Sequence, residues 1–259
     1  MRIRSLGFRT DVALRVLEGA EVTDRADYLV IRTPDHPDYW WGNFLLLPSL
    51  PGPGQGREWL ARFVAEFPAA RHVALGVDTT DDGETPEEFA AAGLQADRAS
   101  VLTAAQVCPP ARPNTEAEIR PLESDADWRQ SVDLAVRCFD GAEPGDFLQR
   151  RATARRRLTQ TGAGIWFGAF GNGHLLAQLG LFDVGGGYAR YQHVETDPAA
   201  RRRGLAGTLV WTAGRYGREV LGASTLVIVA EPAGVAIRVY RACGFTARQR
   251  QLSFDRPPF

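Results

Sequence analysis

The apolar positions fall into two successive trains of short elements. In the first, Phe8, Val12, Leu14, Val16 and Leu17 recur at helical spacing and predict a helix over 8–17. The runs YLVIR (28–32) and WWGNFLLL (40–47) predict strands, and TPDHPD between them supplies turn residues. Tyr39, Trp40, Trp41 and Phe44 are expected as half-sheet core, with a substrate or interdomain surface as the alternative. A Pro/Gly-rich stretch, PSLPGPGQG, then leads to an amphipathic helix, REWLARFVAEF, and HVALGV (72–77) follows as a strand. Thr85 stands where it would cap a helix over PEEFAAAG, and RASVLT (98–103) closes the train.

The stretch VCPPARPNTEAE carries Pro109, Pro110 and Pro113 and no apolar periodicity. It predicts a linker, with a domain boundary near Arg112 and domains over 1–112 and 113–259. The second train opens with a strand, EIRPL. A helix follows over 124–138, in which Trp128, Val132, Ala135, Val136 and Phe139 give the three/four spacing. A second helix covers 146–160. Strands over 165–170 and 175–182 flank a Gly-Asn-Gly turn, a hairpin signal. A strand over 188–196, a helix from 204 to about 220, a buried strand over 224–230, a helix over 232–243 and a strand over 245–254 complete the order βααβββαβαβ. Gly244 supplies the usual helix stop. Mixed alternation of this kind belongs to the α/β (α+β) class.

Composition narrows the chemistry. With 44% hydrophobic residues in 259, the chain is of ordinary globular composition, and its net charge of −1 gives no global field toward nucleic acid or anionic membrane. All thirty basic residues are arginine, so Schiff-base chemistry and a Walker-type lysine are excluded. The three cysteines, Cys108, Cys138 and Cys243, form no CxxC pair, so no structural zinc is expected and a reduced, cytoplasmic setting is. No targeting segment and no membrane-length apolar run is read.

The informative run is VETDPAARRRGLAGTLV, 194–210. A strand ends, a turn holds three arginines and a glycine, and a helix begins. The first N–H groups of that helix have no partner within it, and the helix dipole adds to their attraction for an anion. Gly204, Gly207 and the small Ala206 are expected to let a phosphate or diphosphate approach the backbone. A dinucleotide fingerprint is excluded because Gly204 and Gly207 lack its spacing.

At this point the sequence resembles a family, the GNAT acyltransferases. Arg201, Gly204 and Ala206 match the family's diphosphate loop. The downstream run PAGVAIRVYRACGF resembles its second motif at Ala236, Ile237, Tyr240, Gly244 and Phe245. The resemblance covers about 140 residues and implies a mixed central sheet flanked by helices. It also implies acetyl-CoA as cosubstrate and no metal. Backbone groups of Val194, Glu195 and Thr196 would pair with the pantetheine arm, admitted by a splay between the strands over 188–196 and 224–230. Amides of Arg202, Arg203, Gly204, Leu205, Ala206 and Gly207 would hold the diphosphate, with the side chains of Arg201–Arg203 secondary. A backbone N–H near Val194 would meet the developing oxyanion. Tyr240 matches the tyrosine that faces the departing thiolate.

A protonated amine must lose a proton before it attacks. On a regular strand Val194, Gln192 and Arg190 share a face with Thr196 and none is a good base. Glu195 and His193 lie on the other face, and a bulge would switch one inward. Both stay open as catalytic candidates. Ala233 departs from the family, in which asparagine often contacts the pantetheine arm. The arginine run over 150–157 spreads around its helix and is expected to be solvated, with recognition of an acidic acceptor as the alternative.

The function implied is acetyl-CoA-dependent N-acetylation of a small-molecule amine, without nucleic-acid or membrane partners. A non-catalytic acyl-CoA sensor is the alternative. The first half repeats the order strand, Gly-rich loop, helix, strand, helix, strand, but lacks the Arg-x-x-Gly-x-Ala loop and the tyrosine. A tandem GNAT-like architecture follows, with the first copy degenerate and shaping the acceptor cleft.

Overall fold

A computed structural model of the chain describes residues 1–138 and 145–257. Phe139, which completes the helical spacing read in the sequence, lies outside the described residues, as do the last two. The chain divides into two compact units. Met1–Val101, Val229–Pro232 and Ala247–Phe259 form the first, and Leu102–Ile228 with Ala233–Thr246 form the second.

The first unit contains α1 (Leu6–Leu17), β1 (Glu21–Asp24), β2 (Leu29–Arg32), β3 (Phe44–Leu47), α2 (Gly56–Glu66), β4 (Val73–Val77), α3 (Glu87–Ala91) and most of β5 (Gln95–Ala104). β1, β2 and β3 pair antiparallel in that order, and β3 runs parallel to β4. Both central strands are buried end to end because both sheet faces are covered. Alternation sorts their side chains. Leu45, Leu47, Leu75 and Val77 pack with Phe63 of α2 and Phe89 of α3, whereas Phe44, Leu46 and Ala74 pack with Phe8 and Val12 of α1.

Two local expectations change here. Trp40–Gly42 is a 3-10 turn, so the expected strand over 40–47 shortens to β3. Asn43 causes this: its side chain accepts the Thr33 N–H and donates to the carbonyls of His36 and Tyr39, closing a turn where the ladder would have started. Trp40 and Trp41 are half-buried, and the Trp41 ring sits edge-on to Phe44. Thr85 makes no cap; α3 starts after Pro86, with no side-chain cap bond. β1, with only Val22 apolar in four residues, has no readable sequence signal.

The second unit contains β6 (Glu118–Pro121), α4 (Asp125–Cys138), α5 (Gly145–Gln160), β7 (Gly164–Gly171), β8 (His174–Asp183), β9 (Tyr188–Thr196), α6 (Leu205–Glu219), β10 (Thr225–Ala230) and α7 (Val235–Ala242). Its sheet runs β10-β9-β8-β7-β6. Trp166 meets Trp128 of α4, whereas its neighbour Phe167 meets Tyr216 of α6. Adjacent strand residues point oppositely, so α4 and α6 cover opposite faces.

The chain's last strand, β11 (Thr246–Arg256), belongs almost wholly to the first unit. It pairs antiparallel with β4, placing Leu252 opposite Val77 and Phe254 opposite Leu75. The break between units falls at Val101/Leu102, earlier than the boundary expected near Arg112. The segment after it is packed on the second unit: Cys108 N–H donates to the Cys243 carbonyl at 3.0 Å, and Asn114 N–H to Thr208 Oγ1 at 2.8 Å.

The arginine run is not the solvated helix expected of it. Arg157 is exposed and Arg150 half-buried, but Arg151 and Arg155 are 3% and 5% exposed, one turn apart on α5. The Arg155 guanidinium lies over the Trp166 ring at 4.7 Å, an interaction that repays part of its desolvation.

Candidate functional site

β9 ends at Thr196, and Asp197 organises the turn beyond it. Its Oδ1 accepts the Ala199 N–H at 2.9 Å and its Oδ2 binds Arg137 at 2.7 Å. A 3-10 turn over Pro198–Ala200 follows, and the backbone then takes positive φ at Arg202 (63°) and Gly204 (79°) before α6 begins. The first intrahelical bond runs from Thr208 N–H to the Gly204 carbonyl at 3.0 Å. The amides of Leu205, Ala206 and Gly207 precede it, so no carbonyl behind them in the helix can satisfy them.

The glycines of this turn also let it pack closely on the side away from the helix amides. A Cβ on Gly204 would lie 2.5 Å from the Arg112 carbonyl oxygen, and one on Gly207 3.1 Å from Pro110. They make room for the segment packed behind the turn. Asn114, in that segment, donates from its side chain to the Arg203 carbonyl at 2.8 Å. Arg203 itself pairs with Glu116 at 2.9 Å.

A cavity of about 600 Å³ opens in front of the turn. Gly204, Leu205, Ala206 and Gly207 form one end, with Arg201 and Arg202 beside them. Val194, Glu195 and Thr196 of β9 form one wall. Val239 and Tyr240 of α7 form another, and Cys138 lies at the end of α4. Of the residues read from the sequence, Arg203 and His193 do not line it. β9 and β10 pair over only three positions, the last being Arg190 opposite Val227. Beyond these the strands separate, which leaves the cavity-side edge of β9 without a ladder partner in β10.

β9 carries one extra residue against β8. Gly180 pairs with Gln192 and Gln178 with Glu195, so two steps on β8 oppose three on β9. The result is a bulge with His193 at φ 43°. On a regular strand Glu195 would share the face of Tyr191, whose hydroxyl bonds the Val210 carbonyl of α6. The extra residue turns it instead to the face of Gln178. Glu195 is half-buried, and its Oε2 accepts from Gln178 Nε2 at 2.6 Å. Burial raises its pKa above the ordinary carboxylate value, against the opposing pull of Arg155 and the Gln178 bond. His193 is exposed, with its ring 6.4 Å from that of Trp166.

Residues 128–245 match the sequence model of the acetyltransferase (GNAT) family. They are a GNAT acetyltransferase domain. No curated protein matches the sequence. The fold of nearly the whole chain recurs in solved GNAT structures. A GCN5-related N-acetyltransferase from Kribbella flavida superposes with TM-score 0.64 at 15% identity, covering 98% of this chain and 97% of its own. A tandem GNAT protein from the clavulanic acid biosynthesis pathway gives TM-score 0.54 at 14% identity, with 100% and 90% covered. A conserved protein of unknown function from Staphylococcus epidermidis ATCC 12228 gives 0.70 at 10% identity, with 92% and 93% covered. The tandem GNAT-like fold read from the sequence is therefore the architecture of the chain.

Within the GNAT domain, Tyr240 is 5% exposed and lines the cavity. Burial, with a smaller contribution from Cys243, pushes its pKa well above that of a free tyrosine. The Cys138 thiol is pushed up to about 11, first by burial and then by Glu195, which makes it a poor nucleophile at neutral pH. Among the described residues no cluster of His, Cys, Asp and Glu is suited to a metal ion, and no helix is long and apolar enough to cross a membrane. Asn114 and Gln178 are structural contributors that the sequence reading does not contain.

Proposed function

We propose that the chain transfers an acetyl group from acetyl-CoA to a small primary amine, with the GNAT domain carrying the reaction. The observation that supports this best is one continuous cavity. It joins the open amides of α6 to the unpaired edge of β9 and to Tyr240 and Glu195. A diphosphate suits the amides of Leu205, Ala206 and Gly207, where partial positive charge and free donors coincide. The amides of a pantetheine arm suit the β9 edge at Val194, Glu195 and Thr196, as an added strand would. Acetyl-CoA supplies the acyl group as a thioester.

Glu195 is the base in this reading and His193 is not, because Glu195 alone lines the cavity. An amine of pKa about 10 arrives protonated. A carboxylate whose pKa is raised by burial accepts its proton, directly or through water, more readily than an ordinary one. Tyr240 donates a hydrogen bond to the departing sulfur. Its raised pKa excludes a large share of full proton transfer, because the phenol is a weaker acid than the thiol it would protonate. The reaction belongs in a reducing compartment such as the cytoplasm, with Cys108, Cys138 and Cys243 as free thiols.

The test is release of free CoA thiol from acetyl-CoA across a panel of amines, amino acids and aminoglycosides. Amine-dependent release supports transfer. Acetyl-CoA binding by calorimetry with no thiol release for any amine would replace the enzyme with a non-catalytic acyl-CoA sensor.

A further inference from the structure

Behind Glu195 lies a closed set of polar side chains on β7, β8 and α4. Gln178 is fully buried. Its Oε1 accepts from Ser131 Oγ at 2.5 Å and from the Trp166 indole N–H at 3.0 Å. Its Nε2 donates to the Ser131 carbonyl at 3.1 Å and to Glu195 Oε2 at 2.6 Å. Both lone pairs and both protons of the amide are used, as a buried amide requires.

This set decides which way the amide points. An indole nitrogen only donates and a backbone carbonyl only accepts. Gln178 must therefore turn its oxygen toward Trp166 and its nitrogen toward the Ser131 carbonyl. The second N–H then has one direction left, and that direction is the Glu195 carboxylate. A flipped amide would set oxygen against carboxylate and leave the Trp166 N–H without its acceptor.

We propose that Gln178 is a positioning residue for Glu195, locked by Trp166 and Ser131 so that its amide holds Oε2 and leaves the remaining oxygen to serve the cavity. The proposal rests on the reading of Glu195 as base. The bulge in β9 is what makes it possible, because only the extra residue sets Glu195 opposite Gln178. The other titratable or charged groups around Glu195 are Arg155 on α5, Cys138 on α4, Tyr240 on α7, Arg201 in the turn, and His193 and Asp197 on its own strand and beyond it. Gln178 donates a hydrogen bond to the carboxylate at 2.6 Å, and Arg155 acts on it through charge.

A hydrogen bond donated to a carboxylate stabilises its charged form, so loss of the bond raises the pKa. The test is a carboxyl ¹³C NMR titration of the full-length, ligand-free protein, with Glu195→Gln used to assign the Glu195 signal. The Glu195 pKa is expected to rise by about one unit in Gln178→Met, the scale of a charge-assisted hydrogen bond. Ser131→Ala, which loosens the amide without removing it, is expected to move the pKa in the same direction by less, and it serves if Gln178→Met does not fold. An unmoved pKa in a folded variant would overturn the positioning role. If an acceptor amine is found by thiol release, Glu195→Gln tests the other half. A Glu195→Gln enzyme with undiminished kcat/KM removes the base and the proposal with it. Loss of activity in Glu195→Gln beside an unmoved pKa in Gln178→Met removes the positioning role alone.

Discussion

The side chain of Asn114 donates to the backbone carbonyl of Arg203 at 2.8 Å. The same residue's N–H reaches Thr208 Oγ1, and Thr208 Oγ1 donates to the Gly204 carbonyl at 3.0 Å. One asparagine, far from the turn in sequence, thus holds it on both sides of Gly204. Asn114→Ala is expected to weaken acetyl-CoA binding by about 3- to 10-fold, the scale of one hydrogen bond. The kcat at saturating acetyl-CoA should stay the same. Calorimetry giving an unchanged Kd would mean that α6 alone fixes the turn.

Backbone and side-chain roles in the same turn separate by substitution. Gly204→Ala places a methyl 2.5 Å from the Arg112 carbonyl at a φ of 79°, so it should cost about 1–3 kcal/mol of stability and at least 10-fold in acetyl-CoA affinity. Arg202 is exposed, and Arg202→Ala should change affinity by less than about 3-fold. Melting curves and calorimetry check both. The reverse order of effects would contradict recognition by backbone amides.

Tyr240→Phe keeps the ring that packs in the cavity wall and removes the donor. The expected result is a fall in kcat of roughly 10²-fold with little change in acetyl-CoA Kd. Because burial raises the phenol's pKa above its ordinary value, Tyr240 stays protonated as pH rises through 9. It should therefore add no basic limb to the wild-type rate profile there. An unaltered kcat, with acyl transfer shown to be rate-limiting, would reduce Tyr240 to packing.

The first unit should not bind a second acetyl-CoA. At the start of α2, a Cβ on Gly56 would lie 3.1 Å from a carboxylate oxygen of Glu88, so negative charge stands where a diphosphate would need to be. The loop before it offers few donors: Pro51 and Pro53 have no N–H, and the Gly52 N–H is taken by Gln55 Oε1 at 2.9 Å. Titration of the whole chain should give a stoichiometry near one. Two equivalent sites would make the first unit a working copy.

Much of the fold is legible in the sequence because it depends on local signals. The periodicity of 124–138, the Gly-Asn-Gly turn and Gly204 before α6 each act within a few residues. The misread places depend on distant partners. Asn43 breaks the strand over 40–47 through bonds to Thr33 and His36, which apolar spacing does not register. Arg155 belongs to no basic stripe when counted around α5, yet it is buried, with Trp166 and Glu195 beside it. The choice between Glu195 and His193 turns on one extra residue in β9, and a bulge alters parity without altering composition. Asn114 and Gln178 are ordinary polar residues until their partners, 89 and 17 positions away, are brought to them.

The route of the chain through the first unit constrains when that unit can be finished. Leu252 and Phe254 fill the same core as Val30, Leu45 and Phe63. During synthesis, the amino-terminal residues emerge long before β11 exists. Until β11 leaves the ribosome, β4 has one unpaired edge, and Leu75 and Val77 have neighbours on β3 alone. Vectorial folding therefore cannot complete the first unit ahead of the acetyltransferase domain, although it comes first in the chain. A premature stop after Tyr240 would leave the nascent protein with an open sheet edge in its first unit, an aggregation hazard.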